Sequence, residues 1–244
     1  WHRLLNCGFR PAAAAGTDAM ANFASMRGPV GLNRVYVQDG LGATTAGDER
    51  SRLEKWLHGL KAGHSMATNS ALLGLEIEGK PPGSEIEIPA PGAKLHVHGF
   101  MRSIVPIDHL ELLERGKVLR SFSLDGDRTS ADLDEQIEVS EPGWILLRAW
   151  NDQAHPDVFD IYPYATTNPV FLTRRGVAPH CGEDADYCLA WIDRLAAGAN
   201  SHPDFNTDAE RRATLEALRE RLLERNYINN LIATIEREVS LTHG

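Results

Sequence analysis

This sequence of 244 residues has few cysteines, no long apolar run and no excess of positive charge. Each of these features excludes a class of protein. Three cysteines are too few for the disulfide framework of a small secreted domain. No apolar run reaches the roughly 18 residues that a membrane-spanning helix requires. The formal net charge of −9 argues against a surface that binds the phosphates of nucleic acid. The remaining composition, 42% hydrophobic and 24% charged residues, is that of a globular protein with a sizeable core.

The cysteines of HCGEDADYC leave three interpretations open. Cys181 and Cys188 are close enough in sequence to form a disulfide bond in an oxidising compartment. They are equally compatible with two half-buried free thiols at the start of a helix. With His180 they could also contribute to a zinc site, but the sequence shows no evident fourth ligand, which makes zinc the weakest of the three.

The first of three compositional zones, residues 1–70, mixes helical and strand-like segments. WHRLLNC reads as the last turns of a helix that stops at Gly8, a favoured residue just past a helix end. The small residues of AAAAG suit a buried strand, and RVYV at 34–37 has the β-branched and aromatic content of another. Asp48 can cap a following helix with one apolar face that ends at Gly63. Strand, helix and strand in this order indicate an α/β unit.

The second zone, residues 71–176, has mostly alternating apolar and polar residues. Runs such as LLGLEIE, KLHVHGF and WILLRAW are punctuated by Pro-Gly, Asp-Gly and Arg-Gly, and no helical period interrupts them. About seven such strands predict one antiparallel β-sandwich. The third zone, residues 177–244, is helical: one apolar stripe ends at Gly198, and Thr207 with Glu210 has the capping-box spacing before a long second helix.

Two histidines in KLHVHGF form the most conspicuous motif. His96 and His98 point to the same face of a strand, and such a pair is a frequent metal chelate. However, no acid or third histidine follows at a spacing that would complete a site. The pattern therefore favours two ordinary imidazoles on the outer face of a strand.

A less conspicuous candidate is Asp18, the single carboxylate after the small residues 12–16. If these residues form a buried strand, Asp18 emerges at its carboxyl end, where β/α barrels assemble their active sites. A carboxylate in that place can bind a divalent metal or accept a proton from metal-bound water. An aspartate at a strand-to-loop junction is also an ordinary turn former, so spacing alone leaves its role open.

An ordered series of motifs resembles the C-terminal half of the CehA/McbA-type metallohydrolases, which belong to the PHP superfamily. The motifs are WHRLLNCGFRPAAAAGTDAMANF, GPVGLNRVYV, WLHGLKAGHSMATNSALLGLEIEGKPPG, YATTNPVFL and WIDRL. The resemblance implies that residues 1–70 are the last part of a PHP-like β/α barrel. Residues 71–176 would be an accessory β-sandwich, and residues 177–244 a C-terminal helical segment.

The resemblance also implies a metal site. The last barrel motif of the superfamily reads Gly-Ser/Thr-Asp-x-His, and Gly16, Thr17 and Asp18 match it, whereas Met20 stands where the histidine would be. Asp18 is therefore expected to be a metal ligand or catalytic carboxylate for a divalent ion such as zinc, manganese or iron. The other ligands would lie before Trp1, so we expect the chain by itself to be inactive.

Three further polar residues are candidates for binding substrate. If the barrel interpretation holds, Asn22 and Arg34 lie in loops or at strand ends on the same side as Asp18, and Asn69 follows the next strand-like run. An arginine near a metal could hold a carboxylate, phosphate or carbamate group. Each of the three could instead only cap a turn.

Two functions follow from these observations. The first is a metal-dependent hydrolase of ester, carbamate or phosphoester bonds that acts on a small-molecule substrate. The second is a non-catalytic binding protein with a degenerate barrel and a sandwich that recognises a substrate or a surface; Met20 favours this alternative. Neither function involves nucleic acid or a membrane-spanning segment. The resemblance slightly favours a periplasmic or secreted location, and the oligomeric state stays open.

Overall fold

The structure is a computed structural model that describes residues 1–19, 30–38, 49–90, 92–175, 181–201, 207–214 and 216. The chain divides into two compact units. The smaller unit comprises Trp1–Phe9 and His180–Gly244, and the larger unit is Arg10–Pro179. The expected boundary near residue 71 is therefore not where the chain divides into compact units. No helix within the described ranges is long and apolar enough to cross a membrane.

Strands dominate the larger unit. Its described residues form α2 (Glu49–Ala62), a short 3-10 helix (Pro156–Val158), and the strands β1 (Arg34–Val37), β2 (Ser65–Thr68), β3 (Leu72–Ile77), β4 (Glu85–Glu87), β5 (Ala93–Arg102), β6 (His109–Glu114), β7 (Lys117–Phe122), β8 (Ser130–Val139), β9 (Gly143–Trp150), β10 (Tyr164–Thr167) and β11 (Val170–Thr173).

The larger of two sheets is organised around β9. One edge of β9 pairs antiparallel with β6, which continues to β7. Its other edge pairs with β10 and then β11, two short strands separated by Asn168 and Pro169. β2 and β1 extend the sheet beyond β10, and β4 lies parallel beside β11.

The smaller sheet has the order β3-β5-β8, with antiparallel pairing throughout. Its inward residues, including Leu75, Val97 and Ile137, share one buried apolar cluster with Leu112, Leu147 and other residues of the larger sheet. The outward residues of β8 are exposed, which gives the strict alternation of a sheet with one wet face. The two sheets thus share a common apolar core, an arrangement compatible with the expected β-sandwich.

The strand-like runs of residues 71–176 are confirmed as strands. LELLERGKVLRSFSL is a hairpin of β6 and β7, whose turn places Arg115 at φ 50° and Gly116 at φ 83°. Residues 94–150 contain no helix. Two details of the expected antiparallel unit are wrong: β4 pairs parallel with β11, and the sheet also includes β1 and β2 from the first zone.

The β1–α2–β2 segment differs from the expected α/β unit because its two strands are antiparallel. Gly59 near the end of α2 lies so close to the end of β1 that a Cβ there would stand 2.7 Å from Val37 Cγ1. His64 then accepts a backbone hydrogen bond from Gln38 at 2.7 Å. The helix therefore ends beside the end of β1 instead of crossing the sheet, so β2 must run back antiparallel.

The apolar face expected on α2 is only partly covered. Leu53 and Leu57 are 56% and 49% exposed, and Gly63 follows the helix with φ 78°. Asp48, the expected cap, lies outside the described residues.

AAAAG is not a buried strand. Residues 11–19 have no regular secondary structure, and Ala12–Gly16 are half-buried or exposed. The reason is visible at Asn168, whose side chain binds Ala13 at both backbone atoms: Ala13 N–H donates to Oδ1 at 2.7 Å, and Nδ2 donates to the Ala13 carbonyl at 3.2 Å. The buried side-chain amide of Asn168 thus makes the backbone hydrogen bonds that a neighbouring strand would otherwise make.

The smaller unit consists of helices in its described residues. α1 (His2–Asn6) is followed by Gly8 at φ 84°, as expected from the sequence. α3 (Gly182–Ser201) continues past Gly198, where we expected it to end. Thr207 Oγ1 accepts the Glu210 backbone N–H at 3.1 Å, which confirms the cap of the next helix.

Candidate functional site

The loop that presents Asp18 is fixed by the residue before it. Thr17 Oγ1 accepts the backbone N–H of Asn33 at 2.9 Å and donates to the Asn33 carbonyl at 3.1 Å. Asn33 directly precedes β1, so the Gly16–Thr17–Asp18 loop is tied to an edge of the larger sheet. The hydroxyl group of Thr17 therefore anchors the loop to Asn33.

Asp18 itself is exposed and has φ 54°, in the left-handed region that non-glycine residues seldom adopt. Aspartate tolerates this conformation better than most residues do. Within the described part of the chain, no hydrogen bond or ion pair engages its carboxylate. The expected position at the end of a buried strand is wrong, but the carboxylate is still held at the surface by an anchored loop. Met20 and Asn22 lie outside the described residues.

Arg34 opens β1 and its side chain is partly buried. Its Nε atom is buried and has no hydrogen-bond partner among the described residues. The guanidinium carbon lies 5.9 Å from the ring centroid of Tyr36, the next residue on the same face of the strand. A buried guanidinium N–H without a partner is costly, so this side chain has capacity to bind an acceptor that the described residues do not supply.

Asn69 has a structural explanation. Its Oδ1 accepts the backbone N–H of Tyr164 at 2.8 Å, and its Nδ2 donates to the carbonyl of Tyr162 at 2.8 Å. Both polar atoms of the Asn69 side-chain amide therefore bind the backbone at the start of β10. Asn69 is the turn-stabilising residue that the sequence left as an alternative, and its amide is already engaged within the protein.

A cleft of about 990 Å³ lies along β3, within the larger unit. Its wall combines apolar side chains with a few polar groups, the composition typical of sites for small molecules. Residues from both sheets contribute: Tyr36, Met66, Leu73, Leu75, Phe100 and Leu133 are among the apolar ones, and Glu76, His98, Asp132 and Asp134 are among the polar ones.

Phe100 lies in this wall because the strand opposite leaves room for it. Gly74 pairs with Phe100 across β3 and β5, and a Cβ at Gly74 would stand 2.1 Å from the phenylalanine ring. The ring thus covers the glycine backbone. Any larger residue at position 74 would displace Phe100 from the cleft wall.

His96 and His98 lie on the outward face of β5, as their spacing predicts, but they are not isolated. Asp134 of β8 is the direct cross-strand partner of His98. Its Oδ1 lies 2.6 Å from His96 Nε2, and the two imidazole rings meet edge to face with centroids 4.2 Å apart. One ligand atom from each of the three side chains can be chosen so that all lie within 4.8 Å of one another.

The acid of this group, Asp134, was missed because it is 36 residues beyond His98 in the sequence. Only the antiparallel register of β5 and β8 brings it opposite the histidines. The signal that could have found it is the alternation of DLDEQIEV, which places Asp132, Asp134 and Gln136 on one face. Pairing that face with KLHVHGF would have required knowing which strands are neighbours.

The three cysteines lie together in the smaller unit as free thiols. Burial, together with nearby Cys188 and Asp184, raises the pKa of Cys7 to about 12. Burial opposes ionisation of Asp184, but hydrogen bonds from Asn6 and Arg3 outweigh it and lower the pKa of that carboxyl group. The structure therefore corresponds to the free-thiol interpretation of Cys181 and Cys188. His180 lies outside the described residues.

Comparisons with protein-family models, with curated proteins and with solved structures find no match to this chain.

Proposed function

We propose that this chain is part of a metal-dependent hydrolase of ester, carbamate or phosphoester bonds, in which Asp18 is a metal ligand or a proton acceptor. The observation that carries the proposal is the anchored Gly16–Thr17–Asp18 loop. Its threonine is tied to Asn33 by two hydrogen bonds, while its carboxylate is exposed at φ 54°. Unusual backbone conformations that the surroundings hold in place are concentrated at functional sites.

The resemblance to the CehA/McbA-type metallohydrolases supports the same role for Asp18. It would make the loop the last motif of a PHP-like barrel and assign the remaining ligands to residues before Trp1. A divalent ion held there would supply a hydroxide nucleophile near neutral pH. Asp18 would either bind that ion or take a proton from the attacking water, since both tasks need an ionised and accessible carboxylate.

Arg34 is the best-supported substrate-binding residue in this proposal. It follows Asn33, the residue that anchors the loop, and its buried Nε lacks a partner among the described residues. A carboxylate, phosphate or carbamate oxygen would satisfy that N–H. Asn69 is a weaker candidate because its amide already binds the backbone at residues 162 and 164, and Asn22 remains a prediction.

A matched pair of aspartates allows a sharp test. Asp160 resembles Asp18: it is exposed and has φ 56°, yet it lies in the loop after the short 3-10 helix. Asparagine at either position keeps the left-handed conformation accessible and removes only the charge. We expect Asp18→Asn to lower kcat/KM by about 10²–10⁴-fold, the usual contribution of a general acid or base. Asp160→Asn should leave it unchanged.

The assay uses the native protein with added zinc, manganese or iron and nitrophenyl ester, carbamate and phosphoester substrates. Equal activity of the Asp18→Asn and wild-type proteins would overturn the proposal. A thermal melt of each variant separates loss of catalysis from loss of folding.

A non-catalytic binding protein is the second candidate function. The cleft of about 990 Å³ along β3 favours it, because this cleft belongs to the sandwich and does not depend on a complete metal centre. In that case the native protein would show no metal-dependent turnover of any of the three substrate classes, in the wild type as in the variants.

A further inference from the structure

We propose that His96, His98 and Asp134 form a binding site for a divalent transition-metal ion such as Zn²⁺, with Glu76 as a fourth ligand. This site lies on the outward face of the smaller sheet. It is separate from the role proposed for Asp18 and stands or falls independently of it.

The strand register fixes the backbone of the site. β5 lies between β3 and β8, and His98 of β5 has Glu76 on one side and Asp134 on the other as direct cross-strand partners. Side chains opposite each other in this way have Cβ atoms about 4.5–5.5 Å apart. His96, two residues before His98, lies on the same face. Four potential ligands are thus supplied by three neighbouring strands.

The distances among His96, His98 and Asp134 require only small side-chain movements to bind an ion. Four ligands about 2.1 Å from a tetrahedral zinc are about 3.4 Å from one another. The chosen atoms of His96, His98 and Asp134 all lie within 4.8 Å, and His96 Nε2 is already 2.6 Å from Asp134. The Asp134 side chain is 72% exposed, so rotation toward a shared ion is sterically open.

The donor set selects the class of ion. Two imidazole nitrogens and one or two carboxylates suit zinc, copper, nickel or iron(II), whereas Mg²⁺ and Ca²⁺ prefer sites built from oxygen atoms alone. Two histidines and a carboxylate also leave coordination positions open for water or another ligand. His98, Asp134 and Glu76 line the cleft along β3, so an open position would be accessible from it.

The neighbouring side chains show why this group differs from ordinary cross-strand ion pairs. On one side of it Arg102 binds Asp132 at 2.6 Å, and on the other Lys94 binds Glu138 at 3.2 Å. Each of these pairs joins one cation to one anion. The group between them instead brings the imidazoles of His96 and His98 to the carboxylate of Asp134, and Glu76 lies on the other side of His98. It therefore holds more potential metal ligands than a single ion pair does.

The test is zinc binding to the full 244-residue chain, measured by titration calorimetry and repeated with Co²⁺, whose visible absorption reports coordination. The Asp18→Asn background removes any contribution from Asp18. We expect one zinc ion per chain. His98→Gln, Asp134→Asn and Glu76→Gln each remove a proposed direct ligand, so each should weaken zinc binding by more than about 10–100-fold, which is the cost of losing a group hydrogen-bonded to a ligand.

A matched control exists in the same unit. His109 Nε2 lies 2.9 Å from Asp152, so His109→Gln removes a histidine–aspartate pair of similar geometry. That variant should bind zinc like the parent chain. The proposal is overturned if the folded parent chain binds no zinc, or if binding is unchanged in His98→Gln and Asp134→Asn. Circular dichroism establishes that each variant is folded, and both substitutions are at exposed positions.

Discussion

At the scale of single residues, Glu111 of β6 is a buried charge in the larger sheet. It is 8% exposed, and its Oε2 accepts hydrogen bonds from Arg148 at 2.6 Å and from the Trp150 indole at 2.9 Å. Burial alone would raise the pKa of this carboxyl group, but the bonds from Arg148 and Trp150 outweigh burial and lower it. Glu111 is therefore ionised in the folded protein and satisfied by its neighbours on β9.

Removing this charge should destabilise the protein. Glu111→Gln leaves the Arg148 guanidinium largely buried without its anion, and breaking such a pair costs about 3–5 kcal/mol in a fully buried site. Because Arg148 keeps 24% of its side chain exposed, we expect a loss of about 2–3 kcal/mol in the free energy of unfolding. Urea denaturation measures it. The exposed Arg102–Asp132 pair provides the control, since Asp132→Asn should change stability by less than about 0.5 kcal/mol.

The pH dependence has a definite sign. A carboxyl group whose pKa is lower in the folded state stabilises the protein above its unfolded pKa, about 4.3 for glutamate, and loses that contribution as the pH falls. The wild-type protein should lose stability more steeply than Glu111→Gln between about pH 5 and pH 3. Parallel curves for the two proteins would show that Glu111 has no lowered pKa.

At the scale of elements, the segment before Asp18 is held at Ala13 by one side chain. Asn168 is 1% exposed and lies between β10 and β11, where it binds Ala13 at both backbone atoms and Ser65 Oγ at 2.7 Å. The following Pro169 has no N–H, so the backbone here cannot form a regular ladder. The interruption of a strand thus creates the attachment point of the irregular segment.

Replacement of Asn168 should release the backbone around Ala13 while the sheets persist and Thr17 keeps its hydrogen bonds to Asn33. We expect Asn168→Ala to speed hydrogen exchange at the Ala13 amide at least tenfold (about 1.4 kcal/mol of local stability, by the usual conversion) because its acceptor is removed. Asn69→Ala removes an asparagine that binds the Tyr164 amide instead, and it should leave Ala13 unaffected. Mass spectrometry after deuterium labelling distinguishes them, and equal exchange at Ala13 in both variants would contradict this attachment.

The elements that the sequence predicted well are those whose own side chains determine them. The strand-like runs of the sequence correspond to β3–β9 and β11, whereas β10, with the short run YATT, was not predicted. AAAAG failed as a strand because alanine contributes little apolar surface, and its partner proved to be a side chain 155 residues away. The same limitation hid Asp134 from the histidine pair. Which distant segments pair with each other depends on the whole fold, so local sequence patterns do not predict it.

At the scale of the whole molecule, the described residues are mixed α/β, mostly strands, with two sheets and few helices. The parallel barrel expected for residues 1–70 is not seen in their described part, where β1 and β2 join the larger sheet as antiparallel strands. The hydrolase proposal therefore depends on Asp18 and on the resemblance of its loop to the last barrel motif. The metal site at His96, His98 and Asp134 depends on the sandwich alone.

The most direct test compares these two sites in the native protein. Turnover of an ester, carbamate or phosphoester and bound metal are measured for Asp18→Ala and for the double variant His96→Ala, His98→Ala. The account predicts that Asp18→Ala loses at least about 100-fold in rate, with a loss of stability no larger than about 1–2 kcal/mol, which is what the left-handed backbone at φ 54° costs alanine. The double variant should lose only the metal of the sandwich and keep its rate. Loss of turnover in the double histidine variant, with full turnover in Asp18→Ala, would contradict the account.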